Sequence, residues 1–278
     1  MTTIRTFREF EHSGWQEVAG SYHDHFSALT SQTIKALIKT IAPEAGFKVL
    51  DIATGPGYVA SELLKCGCHV TGLDFAKVMI ERARSLYEGI EFIEGDAQAL
   101  PFADQSFDCA TMNFGILHLD EPQKALRQAR RVLVPGGRLA FSLWCQPSKS
   151  IAFQIVLSAI DKHGNNRIPL PEGPAFFRFS DQDLSRQSLL SAGFVDISIE
   201  QIDMTWRVES GSDLFEAFFT GTPRTGGLLR AQDQTDLEAI RASVIEQCHQ
   251  YKNKDAIEIP MASLIVSGRR PLETEKQA

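Results

Sequence analysis

The sequence predicts an α/β fold in which a mostly parallel sheet is flanked by helices. Short apolar runs, of which VLDI at 49–52 is the first, suit strands that are buried on both faces. Patterns of helical spacing follow these runs, so strand and helix alternate along the first half of the chain. Acidic residues and glycines stand where the strands end. The carboxyl ends of parallel strands share one edge of a sheet, so a ligand site is expected there.

The first strand leads directly into a glycine turn. Asp51 stands near the end of the strand, Gly55 and Gly57 follow, and a helical pattern then begins. Glycine lets the backbone turn sharply and approach a ligand closely, and a helix N-terminus offers N–H groups to an anion. GPGYVA at 55–60 also fits the G-x-G-x-x-A pattern of dinucleotide binding. The Asp51 carboxylate would repel a pyrophosphate at short range, but it suits the ammonium and sulfonium groups of S-adenosylmethionine.

Four further strands follow in order. The strand that ends at Asp74 is followed by a helix, and the spacing from Gly57 to Asp74 is close to the roughly 20 residues at which an acid meets the ribose hydroxyls. Pro122 suits the first turn of the helix before the last of these strands, and we expect Pro135-Gly136-Gly137 to end that helix. The four strands, with the turns that adjoin them, are predicted within 68–74, 90–102, 107–119 and 138–144.

These motifs resemble those of class I S-adenosylmethionine-dependent methyltransferases. The pattern D-x-[AG]-x-G-x-G at 51–57 is similar to the first motif of that family, with Ala53 in place of the usual first glycine. FADQSFD at 102–108 and RVLVPGG at 131–137 are similar to the methyltransferase type 11 branch, which includes ubiquinone and menaquinone C-methyltransferases. The resemblance covers roughly residues 36–145, with its motifs in the expected order.

The resemblance implies a Rossmann-like class I methyltransferase fold, with seven mostly parallel strands in the order 3-2-1-4-5-7-6 and a helical lid, in a single domain. It also implies that Asp96 accepts a hydrogen bond from the adenine amino group and that the following N–H meets a ring nitrogen. The Asp74 carboxylate can accept from both ribose hydroxyls. The residues predicted to bind the cofactor are Tyr22, Asp51, Ala53, Thr54, Gly55, Pro56, Gly57, Asp74, Phe75, Met79, Asp96, Ala97, Gln98, Asn113, Phe114 and His118.

Each acid in this set has a structural alternative. Asp51 and Asp74 can cap the helices that follow them, and Asp96 can be a turn residue, since Gly-Asp pairs favour turns. An NAD(P)-dependent oxidoreductase with the same glycine turn is a second function class. Tyr251 and Lys254 are three residues apart, so they do not form the Tyr-x-x-x-Lys pair of that class. A third class is an S-adenosylmethionine-binding protein without turnover, acting as a regulator or subunit.

Three segments outside the core, 1–30, 146–178 and 210–256, are predicted to form a lid over the substrate. By resemblance, Tyr22 in the first segment lies near the methionine end of the cofactor. The alternative is that its aromatic side chain packs a surface helix onto the sheet. The segment 210–256 shows two helical patterns divided by glycines and a proline. Its alternative role is an oligomer surface.

Methyl transfer from a sulfonium is an in-line displacement, and orientation alone can contribute about 7–11 kcal/mol to it. A general base is needed only if the acceptor loses a proton. His118, near the end of the fourth strand, is the best candidate for that base, and its alternative role is a hydrogen-bonded loop histidine. Weaker candidates are His23, His25, His163 and Arg178.

The apolar residues of the predicted lid favour a water-poor pocket for a small, partly hydrophobic acceptor. The same side chains can equally form the core of the lid. They are Phe153, Ile155, Phe176, Phe177, Phe215, Phe218 and Phe219.

The composition argues against several other partners. The net charge is −7 and the pI is about 5.5, whereas a nucleic-acid substrate calls for a basic face. No apolar run is long enough for a signal peptide or a membrane span, so we expect a cytoplasmic monomer or homodimer without stable membrane insertion. The spacing of the five cysteines favours neither zinc nor disulfides. His23-Asp24-His25 lacks further ligands of matching spacing, so no metal is expected.

Overall fold

The computed structural model describes residues 6–165 and 167–277. Eight strands occur in this part of the chain: β1 Lys48–Ile52, β2 His69–Asp74, β3 Glu91–Glu94, β4 Phe107–Met112, β5 Leu133–Trp144, β6 Val195–Val208, β7 Lys252–Asn253 and β8 Ala256–Arg269. The α-helices of the same residues are α1 Phe7–Thr30, α2 Ile34–Ile41, α3 Tyr58–Lys65, α4 Lys77–Leu86, α5 Pro122–Val132, α6 Ile151–His163, α7 Gln182–Ser191, α8 Gly211–Gly221, α9 Arg224–Arg230 and α10 Gln234–Cys248. Short 3-10 helices lie at Ser31–Thr33, Ile116–His118, Arg178–Ser180, His249–Tyr251 and Glu273–Gln277.

All eight strands belong to one sheet. Its order is β3-β2-β1-β4-β5-β8-β6, and the two-residue strand β7 pairs with β8. The pairs among β1 to β5 are parallel, whereas β8 runs antiparallel to β5 and β7. Apart from the short β7, this is the predicted class I order, so the α/β fold class is confirmed.

The strand order reverses direction between β1 and β4, which are hydrogen-bonded neighbours. Chain segments leaving the two strands therefore diverge, and in open α/β sheets the crevice that binds ligands lies at such a point, outside the carboxyl ends of the strands. The motifs at the ends of β1, β2 and β4 all face this edge of the sheet.

Contacts divide the chain into two compact units. The sheet unit comprises Thr30–Trp144, Pro174–Ile202 and the residues from Ser263 onward, and the helical unit comprises the residues up to Leu29, Cys145–Gly173 and Asp203–Ala262. In the sheet unit, side chains of α2, α3 and α4 pack on the apolar residues of β1 and β2, and Val49 and Leu63 are fully buried there.

The helical unit has an aromatic core of its own. The Phe218 ring lies 5.8 Å from that of Phe26, 5.0 Å from that of Phe153 and 5.6 Å from that of Trp206. Phe218 is completely buried, and Phe215 is nearly so. Three of the six phenylalanines predicted in the lid, Phe153, Phe215 and Phe218, therefore fill the interior of this unit, the second of their two interpretations. Phe219 is half-buried in the same unit, whereas Phe176 and Phe177 belong to the sheet unit.

Two element predictions differ from the structure. The fifth strand begins at Leu133, not at Arg138. Its pairing with β4 shifts register between Phe107 and Cys109, and this irregular stretch accommodates Gly136 and Gly137 within the strand. The segment 210–256 forms three helices and a strand pair, because α9 runs through Gly226-Gly227. Gly226 allows close packing there, since a β-carbon on it would lie 2.6 Å from the carbonyl oxygen of Phe218.

The helices of residues 6–165 and 167–277 include none with both the length and the apolar character that a membrane crossing requires.

Candidate active site

Asp51 is buried at the end of β1, with 1% of its surface exposed. Its carboxylate accepts hydrogen bonds from the hydroxyls of Thr54, at 2.6 Å, and Thr111, at 2.8 Å. Burial raises the pKa of Asp51 to about 6, although these two hydroxyls and the N–H of Ala60 act in the opposite direction. Ala60 lies in the first turn of α3, so Asp51 also faces that helix, in line with its capping alternative.

The turn after β1 has three residues in the left-handed region, Ala53 at φ 52°, Gly55 at φ 52° and Gly57 at φ 88°. A β-carbon at Gly57 would lie 2.9 Å from Cζ of Phe92, so the turn passes close to β3 only because this residue is glycine. At Ala53 the same conformation costs roughly 1–2 kcal/mol. Strain of this kind is held by the surrounding structure and occurs often at ligand sites.

Asp74, at the end of β2, joins the second strand to the glycine turn. One carboxylate oxygen accepts from the N–H of Gly55 at 2.8 Å, and the other accepts from the N–H of Ala76 at 2.9 Å. Burial raises the pKa of Asp74 to about 6; these two N–H groups lower it, as does the charge of nearby His118. Each oxygen has two lone pairs, so the carboxylate can accept four hydrogen bonds. The N–H groups of Gly55, Ala76 and Phe75 take three of them, so one acceptor site remains for a ribose hydroxyl.

The turn after β3 brings Asp96, Ala97 and Gln98 to the same edge. A carboxylate oxygen of Asp96 accepts from the N–H of Gln98 at 2.9 Å, which is the turn role foreseen as its alternative. The Gln98 side chain donates from Nε2 to Asp120 at 2.7 Å and accepts at Oε1 from the N–H of Glu121 at 2.7 Å. These bonds direct the Gln98 amide toward the segment after β4.

Asn113 follows β4 and links it to neighbouring elements. Its Oδ1 accepts from the hydroxyls of Thr33, at 2.8 Å, and Ser142, at 2.5 Å, and its Nδ2 donates to the carbonyl of Thr30 at 3.2 Å. Phe114 is left-handed at φ 54°, and its N–H donates to the same Ser142 hydroxyl at 2.9 Å. Phe114 is therefore a second strained residue at the carboxyl ends of the strands, directly beside the turn after β1.

His118 ends the 3-10 helix Ile116–His118 and is half-buried. Its ring centroid lies 6.0 Å from that of Phe176, which meets Phe177 edge to face at 5.0 Å. Of the weaker base candidates, Arg178 is exposed in the sheet unit, at the start of a 3-10 helix. The histidines at 23, 25 and 163 belong to α1 and α6 of the helical unit.

The remaining predicted residues occupy several places. Thr54, Pro56 and Met79 are buried around the glycine turn and α4, and Phe75 is half-buried after Asp74. Tyr22 lies in α1 of the helical unit, where its ring stands 5.2 Å from that of Trp15 and 5.6 Å from that of Phe26. Its predicted place at the methionine end of the cofactor stays a prediction.

Sequence reasoning missed the hydroxyl partners Thr33, Thr111 and Ser142 and the loop partner Asp120. Thr33 and Asn113 are 80 residues apart in the chain, and Ser142 and Asn113 are 29 apart. Single hydroxyl residues on separate elements leave no periodic pattern, so only the register of β1, β4 and β5 brings them together.

The residues of this edge fit S-adenosylmethionine. Glycines let the backbone approach the ligand, two buried carboxylates stand at the ends of β1 and β2, and α3 begins just beyond the turn. A carboxylate complements the ammonium and sulfonium groups, and the first turn of α3 suits the ligand carboxylate.

The methyltransferase domain family matches residues 50–141. The chain is 30% identical over 178 residues to the demethylmenaquinone methyltransferase of Renibacterium salmoninarum, covering 61% of this chain and 75% of that protein. It is 33% identical over 187 residues to the ubiquinone/menaquinone biosynthesis C-methyltransferase UbiE of Roseobacter denitrificans, with 61% and 75% covered.

Solved structures with this architecture include the [4+2]-cyclase SpnF, which superposes with a TM-score of 0.59 at 18% identity over 97% of this chain and 98% of that one. At that identity the superposition shows the fold alone. The sequence relatives carry the identification instead: the chain belongs to the class I S-adenosylmethionine-dependent methyltransferases, in the branch that contains the ubiquinone and menaquinone C-methyltransferases, and its cofactor is S-adenosylmethionine.

Proposed function

We propose that this methyltransferase acts on a small, partly apolar acceptor with a quinone-like aromatic ring. The observation that carries the proposal is the identity of the relatives, which are named for methylation in menaquinone and ubiquinone biosynthesis and match 61% of this chain. The net charge of −7 supports a small molecule over a nucleic acid, because a polyanionic substrate requires a basic face.

The sheet unit supplies aromatic surface for such a ring. Phe176 and Phe177 are half-buried and stand beside His118, just after the carboxyl end of β4. Aromatic rings prefer offset or edge-to-face contacts with centroids about 4.5–7 Å apart. A planar acceptor held against Phe176 would therefore lie near His118, with its edge available for reaction.

When bound, S-adenosylmethionine supplies a methyl group that its sulfonium already activates. The chain's own residues orient the cofactor and the acceptor. Asp51 and Asp74 fix the glycine turn through their hydrogen bonds to Thr54 and Gly55. The rings of Phe176 and Phe177 would restrict the plane of the acceptor. A hydroquinone-type ring becomes a better nucleophile when its hydroxyl loses a proton. His118 is the side chain proposed to accept that proton.

The lid role of 1–30, 146–178 and 210–256 also remains a proposal. It is supported by the gathering of most of these residues into one compact unit. Deleting 210–256 would remove Phe218 from the contacts it makes with Phe153 and Trp206, so a deletion is a poor test. Amide exchange of α8–α10 with cofactor and acceptor present is better: protection supports a lid, whereas a concentration-dependent mass without protection supports the oligomer surface.

The proposed function is tested by an acceptor screen with methyl-labelled S-adenosylmethionine. Reduced naphthoquinones and benzoquinones form one panel, simple phenols a second and polar amines a third, and mass spectrometry detects labelled product and S-adenosylhomocysteine. Transfer to the reduced quinones, lost in Asp74→Ala, is the expected result. Transfer confined to the amines, or to no member of the first two panels, would overturn the proposal.

A further inference from the structure

Gln98 has an unusual position for a residue of the cofactor edge, because it is bonded at three atoms to two separate segments. Only 3% of its surface is exposed. Its backbone N–H donates to Asp96 at 2.9 Å, within the turn predicted to meet adenine. Its side chain reaches away, to Asp120 at 2.7 Å and to the N–H of Glu121 at 2.7 Å.

The second segment, residues 113–121, connects β4 to α5 and is called the β4–α5 loop. It contains the 3-10 helix that ends at His118 and runs directly into Pro122, the first residue of α5. Inside the loop, the N–H of His118 donates to the carbonyl of Gly115 at 3.1 Å. The Gln98 amide holds the end of the loop that follows His118.

The same loop approaches the other adenosine-binding element. His118 lies close enough to Asp74 for its charge to act on that carboxylate. Asp74 in turn accepts from the N–H of Gly55 in the glycine turn. The loop is thus bonded through Gln98 to the turn after β3 and lies near Asp74 at the end of β2, the two places predicted to hold adenine and ribose.

The hydrogen bonds of the Gln98 side chain are expected to be strong. The bond to Asp120 joins an amide N–H to a carboxylate, and charge-assisted bonds are shorter and roughly twice as strong as neutral ones. Burial removes competing water from Gln98, so loss of one partner leaves a buried polar group unsatisfied. An amide side chain can donate and accept at the same time, as these two partners require.

We propose that Gln98 is a positioning residue that couples the adenine turn to the β4–α5 loop, so that cofactor binding orders the part of the site that carries His118. The inference rests on the proposed function for the role of His118, but the coupling itself requires only the cofactor. Through Gln98, a ligand that fixes the backbone at 96–97 restricts the loop at 120–121. Acceptor binding would then be favoured after cofactor binding.

The test is amide hydrogen exchange of the full-length protein, with and without saturating S-adenosylhomocysteine. In the wild type, peptides that cover the β4–α5 loop should exchange more slowly once the ligand is bound. Gln98→Glu places a second carboxylate beside that of Asp120, so it should lose most of this ligand-induced protection. The expected fall in the protection factor is about three- to tenfold, the value of one hydrogen bond. If Gln98 only held the loop in place, without coupling it to the cofactor, Gln98→Glu would raise the exchange rate of the loop equally with and without ligand. That result would overturn the proposal.

A double variant provides the rescue. Gln98→Glu with Asp120→Asn exchanges donor and acceptor. The carboxylate introduced at position 98 can then accept from both the amide introduced at position 120 and the N–H of Glu121, so protection should return. Gln182→Glu, an exposed residue at the start of α7, is the matched control for added charge. If Gln98→Glu does not fold, Asp120→Ala breaks the same bond from the loop side.

Protection that persists in both single variants, or that fails to return in a folded double variant, would contradict the coupling. These readouts need no methyl acceptor. Failure of the acceptor screen therefore leaves them valid, and failure of the exchange experiment leaves the screen valid.

Discussion

The methyl group of Ala53 lies against the α-carbon of Gly115, so the turns after β1 and β4 touch at the ligand edge. A β-carbon on Gly115 would stand 2.6 Å from Cβ of Ala53 and 2.8 Å from Cγ of Met112. Residue 53 is the position at which the family's first motif usually has glycine. The alanine methyl is accommodated here because the facing residue of the next turn has no side chain.

We therefore predict that Gly115→Ala destabilises the protein by about 1–3 kcal/mol, the usual range for overpacking. Gly115 has an ordinary backbone conformation, with φ −77°, so the cost is steric. Ala53→Gly removes one of the two clashing groups, and the double variant should be more stable than the sum of the two single changes predicts. Urea unfolding of the four proteins measures this coupling, and strictly additive values would show that the contact does not matter.

Asp74→Ala should lower the affinity for S-adenosylmethionine and S-adenosylhomocysteine by about 10- to 100-fold. The reason is that the carboxylate is the proposed ribose acceptor, and a hydrogen bond to a charged group contributes about 1.5–3 kcal/mol. Calorimetric titration with both ligands and with NAD measures it, and NAD should bind to neither protein. Equal affinities in wild type and variant would mean that Asp74 does not contact the ligand and only accepts hydrogen bonds from the N–H groups of Gly55 and Ala76.

The contribution of Asp51 and Asp74 to stability should fall as pH rises from about 4 to about 6. Asp51 and Asp74 have an ordinary pKa of 3.8, which burial raises to about 6 in the folded protein. Within that window the folded state holds more protons than the unfolded state, so the free energy of unfolding decreases with pH. Asp51→Asn cannot titrate, so it should gain stability relative to wild type as pH rises.

Chemical denaturation of wild type and Asp51→Asn across this window measures the contribution of Asp51, together with its electrostatic effect on Asp74. A constant difference between them at all pH values would mean that Asp51 titrates normally in the folded protein.

Phe218→Ala should destabilise the protein by about 3–5 kcal/mol, as deletions of large buried aromatics do. The ring is fully buried and contacts Phe26, Phe153 and Trp206. Phe219→Ala is the matched control, because Phe219 is the next residue in the chain and its ring is only half-buried. Equal losses in thermal unfolding would argue that position 218 does not anchor the core of the helical unit.

His118→Gln should reduce kcat by about 10²- to 10⁴-fold if His118 accepts a proton from the acceptor. Glutamine keeps polar side-chain bulk but supplies no base, so the Kd for S-adenosylhomocysteine should change little. His69→Gln, at the exposed amino end of β2, is the control. A fall in cofactor affinity without a fall in kcat would make His118 a cofactor contact only.

The residues themselves predicted the first five strands and the acids at the ends of β1, β2 and β3, because apolar runs and glycine turns are local signals, whereas the strand order was implied by the resemblance to class I methyltransferases. The sequence did not predict that the Gln98 amide is taken up by Asp120 and Glu121, nor that Ser142 bonds both Asn113 and the N–H of Phe114. These contacts depend on the register between strands, which composition and spacing do not encode. The helix through Gly226-Gly227 was missed for a similar reason, since close packing against α8 outweighs the low helix propensity of glycine.

The helical unit is assembled from three stretches of chain that are far apart in sequence. Phe26 of α1 is synthesised 192 residues before Phe218, whose ring it contacts. Chains grow at about 5–20 residues per second, so the apolar face of α1 waits for about 10–40 seconds without its final partner. The chain's connectivity therefore leaves that face uncovered for this interval unless a chaperone or transient helix contacts protect it.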